Sequence, residues 1–221
     1  PVMGRDSTSR AGSWTDLHKR GFDKSLCLDY DGDGKRFQTL SQSEGCQMKQ
    51  EAMNVLLTRR SVRQYQARQV SEQELDQVLQ AGLYAPTGKN VQGVELVAVQ
   101  EKKLRDRLAA LNKSFWDKDM DPYYGAPTII LVLADTVRYT WVEDGSCALC
   151  NMLNAAHALG LGACWIHRVR EMFDSEEGKA YLRQWGLPES MRGVGSVALG
   201  YPAGPELRPL PRKDGRVIKL L

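Results

Sequence analysis

The sequence predicts an α+β fold, and three observations carry that prediction. Segments with helical spacing alternate with short aliphatic runs, without the regular period of a barrel. Residues 128–134 form a continuous β-branched and aliphatic run, the pattern of a strand buried on both faces. Leu75, Val78, Leu79 and Leu83 recur at helical spacing, so the helix that carries them has one core-facing side.

The elements follow in order. Residues 51–58 read as a first helix. Ser71-Glu72-Gln73-Glu74 is a capping box, with hydroxyl and carboxylate each satisfying a free backbone N–H, and it opens a second helix that ends near Gly82 and Pro86. A strand is expected over 94–99 and a helix over 102–111. A polar loop with Phe115, Trp116, Tyr123 and Tyr124 then leads into the 128–134 strand. Ala148, Leu149, Met152, Ala155, Ala156 and Leu159 keep helical spacing across 144–159, and the small residues among them permit close packing against a helix or a subunit. Gly160-Leu161-Gly162 ends that helix. A short strand over 163–167, a helix over 175–185 and a strand over 194–200 complete the core. Pro202, Pro205, Pro209 and Pro211 bar the following tail from a central strand until about residue 216.

Composition narrows the class. The chain has 221 residues, enough for one domain with a real core, and 42% of them are apolar. Its 30 basic residues nearly balance 27 acidic ones, which gives no case for a nucleic-acid partner. No apolar run is long enough to span a bilayer and no signal-peptide core is evident, so a cytoplasmic protein without a membrane partner is expected. The five cysteines are an odd count and argue against a disulfide framework. Cys147 and Cys150 form a C-x-x-C inside an apolar-periodic helix, where they read as small hydrophobes, and no metal site is expected.

Residues 1–47 are polar, rich in Gly, Ser and Asp, and are expected to be an irregular N-terminal extension. Met48 or Met53 would then be the natural start, and the folded domain would span 48–221. Within the extension, Asp29-Tyr30-Asp31-Gly32-Asp33-Gly34 imitates the first half of a calcium loop. Leu40 stands where a bidentate Glu should close the shell, so a solvated acidic turn is expected.

Two motifs point to chemistry. Arg59-Arg60-Ser61-Val62-Arg63 gathers three guanidinium groups and a hydroxyl at a helix end. Ala85-Pro86-Thr87-Gly88-Lys89-Asn90-Val91-Gln92 adds a Gly-freed turn, a hydroxyl and two amides. Fixed cations, hydroxyls and amides suit a phosphorylated, planar, hydrogen-bonding cofactor. Arg212-Lys213, after the Pro-broken tail, offers further charge for an anion. A solvated helix end and a solvated tail are the plainer alternatives. No Gly-x-Gly-x-x-Gly follows a strand, so no Rossmann nicotinamide site is indicated.

Five segments in order resemble the nitroreductase family of FMN-dependent oxidoreductases: residues 59–65, 85–92, the helix from Asp144 to Gly162, Gly200-Tyr201-Pro202, and Pro211-Arg212-Lys213. The resemblance covers roughly residues 50–218. It implies a three-layer fold with a central mixed, mainly antiparallel sheet flanked by helices, in a homodimer with FMN at the interface. Arg59, Arg60 and Ser61 would hold the phosphate and ribityl side, and Arg212 with Lys213 would close on the phosphate. Arg63 would reach the pyrimidine edge, where a guanidinium stabilises the negative charge that hydride transfer leaves. Thr87 and Asn90 would approach the flavin from the partner subunit, and Pro86 and Gln92 of the same motif would also bind the cofactor. Trp165, Ile166 and His167 would lie along the flavin, in place of the family's common Pro-x-Glu-Gly. Arg63 and His167 are the candidate catalytic residues. His167 is open to two roles, proton donor to a reduced acceptor or cap on the flavin edge. His157, amid alanines, reads as a packed interior residue. The implied activity is hydride transfer from NAD(P)H through the flavin to nitroaromatics, quinones or related acceptors. Alternatives are an FMN carrier or sensor without turnover, or a flavin-fragmenting or dehalogenating relative of the same fold.

Overall fold

The computed structural model describes residues 42–220. Four strands make one sheet in the order β1-β2-β4-β3: β1 Val94–Val99, β2 Thr128–Asp135, β3 Gly162–Ile166 and β4 Met191–Gly200. Every neighbouring pair runs antiparallel. The parallel component of the mixed sheet is a single bridge from Ser61 to Ala163, on the outer edge of β3.

Alternation along β2 creates the three layers. Ile129, Leu131 and Leu133 point to one face, and Ile130 and Val132 to the other. The first face packs on helices α3 (Lys102–Ser114), α5 (Val169–Asp174) and α6 (Glu176–Gln184) through Leu108, Met172, Phe173 and Leu182. The second packs on α2 (Glu72–Leu83) and α4 (Trp141–Ala158) through Val78, Leu149, Met152 and Ala156. Both faces of the central strand are therefore dry, as its unbroken aliphatic run requires. A bulge between Val132 and Leu133 leaves Val194 of β4 unmatched, and Gly145 of α4 makes room for it.

The capping box of α2 is present as read. The Ser71 hydroxyl accepts from the Glu74 N–H, and the Glu74 carboxylate accepts from the Ser71 N–H at 2.9 Å. The first helix, α1, departs from expectation. It runs Gln42–Thr58, so it begins inside the stretch expected to be irregular. Residues 169–174 form a helix the sequence did not announce, because a six-residue element is too short to show a 3.6-residue period. It starts from Arg168, whose φ of 72° is left-handed. Among the described residues, no strand forms beyond residue 216. The Asp29 loop lies outside the described residues. Among the described residues, no helix is long and apolar enough to cross a membrane.

Candidate functional site

The Arg59–Arg63 segment leaves the end of α1 and is laid along β3. Ser61 bridges Ala163, and the Val62 N–H donates to the Ala163 carbonyl at 3.0 Å. The contact demands a glycine next door, since a Cβ on Gly162 would sit 2.8 Å from Val62 Cγ1. Tyr65 locks the far end: its hydroxyl lies 2.6 Å from the Val62 carbonyl and 3.2 Å from that of Ala198. Burial pushes the Tyr65 pKa far above the usual tyrosine range, so it stays a neutral donor.

This edge carries a cleft of about 830 Å³. Arg60, Ser61 and Arg63 line it, with His157 at the end of α4 and Glu206 and Arg208 of the tail; Arg59 adjoins it through Arg60 without lining it. Among the described residues, the buried side-chain nitrogens without a partner are Arg59 Nη1, Arg60 Nε and Nη2, and Trp165 Nε1. Three of the four belong to adjacent guanidinium groups. Buried polar groups are normally paired, and charged ones at greatest cost when they are not. An anion bonded to Arg59 and Arg60 is the chemistry that removes this deficit.

Arg63 is exposed beside the cleft, its guanidinium 5.7 Å from the Tyr124 ring. Its neighbour Cys164 is buried, and burial pushes that thiol up while Arg63, a Ser61 hydrogen bond and Arg59 pull it down. Trp165 is half-buried over Gly195, where an added Cβ would meet Trp165 Nε1 at 2.6 Å; Ile166 is buried in the core. His167 is exposed, with its ring 6.0 Å from that of Trp165. The backbone there is held from behind. Asn112 Nδ2 donates to the His167 carbonyl at 2.8 Å, and Asn112 Oδ1 accepts from Arg168 Nε at 3.0 Å. The Arg168 guanidinium then stacks 4.3 Å over Trp116.

The second motif lies elsewhere. The Gly88 N–H donates to Asp144 Oδ1 at 2.9 Å, which pins residues 86–92 to the first turn of α4. Thr87 Oγ1 accepts from the Gln92 N–H at 3.0 Å, and Gln92 Nε2 donates to Asn90 Oδ1 at 3.3 Å. Pro86, Asn90 and Gln92 are exposed and Thr87 half-buried. Lys89, Asn90 and Gln92 all have φ of 55°, a strained conformation for residues with a Cβ.

Helix α4 separates the two motifs. Asp144 in its first turn holds the 86–92 loop, and His157 in its last turn meets Thr58 beside the arginines. At a rise of about 1.5 Å per residue those ends are on the order of 20 Å apart. One chain therefore brings Arg59, Arg60, Ser61 and Arg63 together with the Trp165–His167 strand end, and does not bring Pro86, Thr87, Asn90 or Gln92 to them. Arg212 and Lys213 are exposed on the tail and do not line the cleft; Arg208 does.

Sequence reasoning missed three residues here. His157 is not a packed interior residue: it is half-buried and lines the cleft. Its position one turn before Gly160-Leu161-Gly162 was the available signal, because the turn into β3 brings that helix end beside the arginine segment. Asn112 and Arg208 carried no signal, the first sitting within an ordinary amphipathic helix and the second in a proline-broken tail.

The nitroreductase family model matches residues 56–201. A protein of Archaeoglobus fulgidus, named as a candidate NADH dehydrogenase/NAD(P)H nitroreductase, is 31% identical over 157 residues, covering 69% of this chain and 86% of its own length. An NADPH-flavin oxidoreductase of Vibrio harveyi is 27% identical over 169 residues, covering 71% of this chain and 68% of its own. Among solved structures, a nitroreductase of Bacteroides fragilis with bound FMN superposes with a TM-score of 0.69 at 32% identity. It covers 77% of this chain and 98% of that one.

Proposed function

The chain belongs to the nitroreductase family, and from that premise we propose that it transfers hydride from NAD(P)H by way of FMN to a nitroaromatic, quinone or similar conjugated acceptor. An FMN-dependent oxidoreductase is the coarser statement, and the family match with FMN-bound relatives carries it. The acceptor class is the finer part of the reading.

The donor set fits FMN. The unpaired buried nitrogens of Arg59 and Arg60 want an anion, and a phosphate supplies several acceptor oxygens to a fixed guanidinium fork. Ser61 offers a hydroxyl on the same edge. FMN, when bound, supplies the hydride chemistry itself. The side chains then have three tasks: to hold the phosphate, to balance charge at the ring, and to leave one face open. Arg63 is assigned the second, because an always-protonated guanidinium favours negative charge developing beside it. His167, exposed next to Trp165, is assigned the acceptor side, as proton donor or edge contact.

The separation along α4 supports a site shared between two copies. Thr87, Asn90 and Gln92 sit at the wrong end of their own helix to join their own arginines, so a two-fold dimer is the arrangement that lets them contribute. The observation that carries the whole reading is the set of three buried, unpaired nitrogens, Arg59 Nη1 and Arg60 Nε and Nη2, on two neighbouring guanidinium groups at the edge of β3. The absorption spectrum of the purified protein tests it, followed by stopped-flow mixing with NADH and NADPH. A flavin spectrum that bleaches fast is the expected result. A colourless protein that takes up no added FMN ends the reading, and bound flavin that never bleaches leaves a carrier or sensor.

A further inference from the structure

His157 lines the cleft without a task in that reading. It stands in the last turn of α4, half-buried, beside Arg60 and Ser61. Its Nε2 is 2.8 Å from Thr58 Oγ1. The Thr58 hydroxyl donates its own hydrogen to the Asn54 carbonyl at 2.6 Å. Thr58 Oγ1 is therefore the acceptor of the pair, and Nε2 carries the proton. In the neutral ring Nδ1 is then a lone-pair acceptor, which repels an anion. A second proton makes Nδ1 a donor and the ring a cation.

The surrounding charges decide when that proton arrives. Burial, then Arg59, then Arg60 hold the His157 pKa below its ordinary value. From the tail, Glu206 and Arg208 face the same cleft. Gly160 and Leu161 line it at the carbonyl end of α4, where the helix carries partial negative charge. An anion docked on Arg59 and Arg60 offsets the two cations that oppose the proton. The same anion is repelled by the end of α4. One proton on His157 answers both effects.

We infer that His157 is a proton-coupled anion ligand: it gains a proton as a phosphate-type dianion docks on Arg59 and Arg60, so the cleft grips that dianion more tightly as pH falls. The inference rests on the reading that this cleft takes the FMN phosphate, and it adds a residue and a pH dependence to it. Linkage fixes the sign. Where the bound state holds more protons than the free state, affinity rises as pH drops through the window between the two titration midpoints.

Sulfate is the probe, because it stays dianionic throughout the range whereas a phosphate monoester titrates near pH 6. The full chain, free of flavin, is titrated by NMR at its histidine ring carbons with and without sulfate, the His157 signal being assigned by its loss in His157→Gln. Saturating sulfate is expected to raise the His157 midpoint by about one unit, and sulfate affinity to gain up to roughly tenfold from pH 7.5 to 5.5. In His157→Gln that gain should fall below about twofold, while Glu206→Gln should retain it, which separates the imidazole from the carboxylate across the cleft. If the glutamine variant does not fold, the His157 signal is assigned as the one kept in both His18→Gln and His167→Gln, and its midpoint in the unaltered chain decides alone. An unmoved midpoint, or an unaltered gain in His157→Gln, overturns the inference. FMN uptake at pH 7.5 is measured in parallel. Uptake with an unmoved His157 keeps the FMN reading and ends this one; a moved His157 without uptake does the reverse.

Discussion

Asn112 and His167, 55 residues apart in sequence, are joined by a 2.8 Å hydrogen bond from the Asn112 amide to the His167 carbonyl. Asn112 is 0% exposed, and its other amide atom accepts from Arg168. One buried side chain thus fixes the backbone at the end of β3, where Trp165 and His167 border the proposed flavin face. Asn112→Ala leaves the His167 carbonyl and the Arg168 Nε without their partner. At about 1–3 kcal/mol for each unsatisfied buried group, the loss should be about 2–6 kcal/mol. Urea unfolding measures it as a lowered midpoint at unchanged slope. A change under about 1 kcal/mol would show that water or relaxation replaces the amide.

Arg60→Met should separate stability from binding. The substitution removes two buried nitrogens that lack partners in the chain alone together with the Nη1 bond to the Arg59 carbonyl, so the two effects oppose each other and the flavin-free protein should lose little stability. FMN affinity should fall by about 10- to 100-fold, the equivalent of one charge-assisted hydrogen bond at roughly 1.5–3 kcal/mol. Thermal melts without FMN and equilibrium dialysis with it give the two numbers. Full FMN retention would remove Arg60 from the phosphate site.

Arg63→Ala should act on rate more than on retention. Its guanidinium lies beside Tyr124 and is not among those with unpaired buried nitrogens, so the phosphate grip stays. Loss of an electrostatic stabiliser of this kind costs about 10²–10³ in the reductive step. Stopped-flow reduction of bound FMN by NAD(P)H reads it directly. Equal losses in rate and in affinity would place Arg63 with the binding residues instead.

The fold was largely legible because its signals are local. The 128–134 run announced a doubly buried strand, and Ser71 with Glu74 announced a helix start, since both depend on neighbours within a few residues. Residues 169–174 stayed silent because α5 spans fewer than two turns and begins from a left-handed Arg168. The arginine segment was legible as a cluster of charge. Its partners were not, because Asn112 and His157 reach the site through contacts that span 55 and 99 residues. The family pattern supplied the 86–92 loop, and only the geometry showed that this loop sits at the far end of α4 from its own arginines.

That distance makes a mixing experiment decisive for the shared site. Arg59→Ala should lose FMN through the arginine segment. Asn90→Gly keeps the left-handed backbone (φ 55°) while deleting the amide, and should lose FMN through the other. In a mixed two-fold dimer one site receives both substitutions and the other neither. Equal mixing after co-unfolding should therefore restore about a quarter of the unaltered FMN sites. Flavin absorbance per chain measures the recovery, and no recovery in a mixture shown to exchange subunits would place the complete site within one chain.

Tyr123 sets an alkaline limit on the fold. It is fully buried, accepts from Ser196 Oγ at 3.2 Å, and lies 5.8 Å from the Arg105 guanidinium. Burial is the main cause that pushes its pKa up to about 12, against pulls from Ser196 and Arg105. The unfolded chain releases this proton near pH 10, so between about pH 10 and 12 the folded state holds one more proton than the unfolded state. Stability is therefore full below pH 10 and declines as pH rises toward 12, by about 3 kcal/mol at roughly 1.4 kcal/mol per pKa unit. Tyr123→Phe removes the ionisable group and keeps the ring in the core, so its urea midpoint should fall less steeply over that interval. Identical alkaline slopes in the two proteins would mean that another group, with Tyr65 foremost, governs the decline.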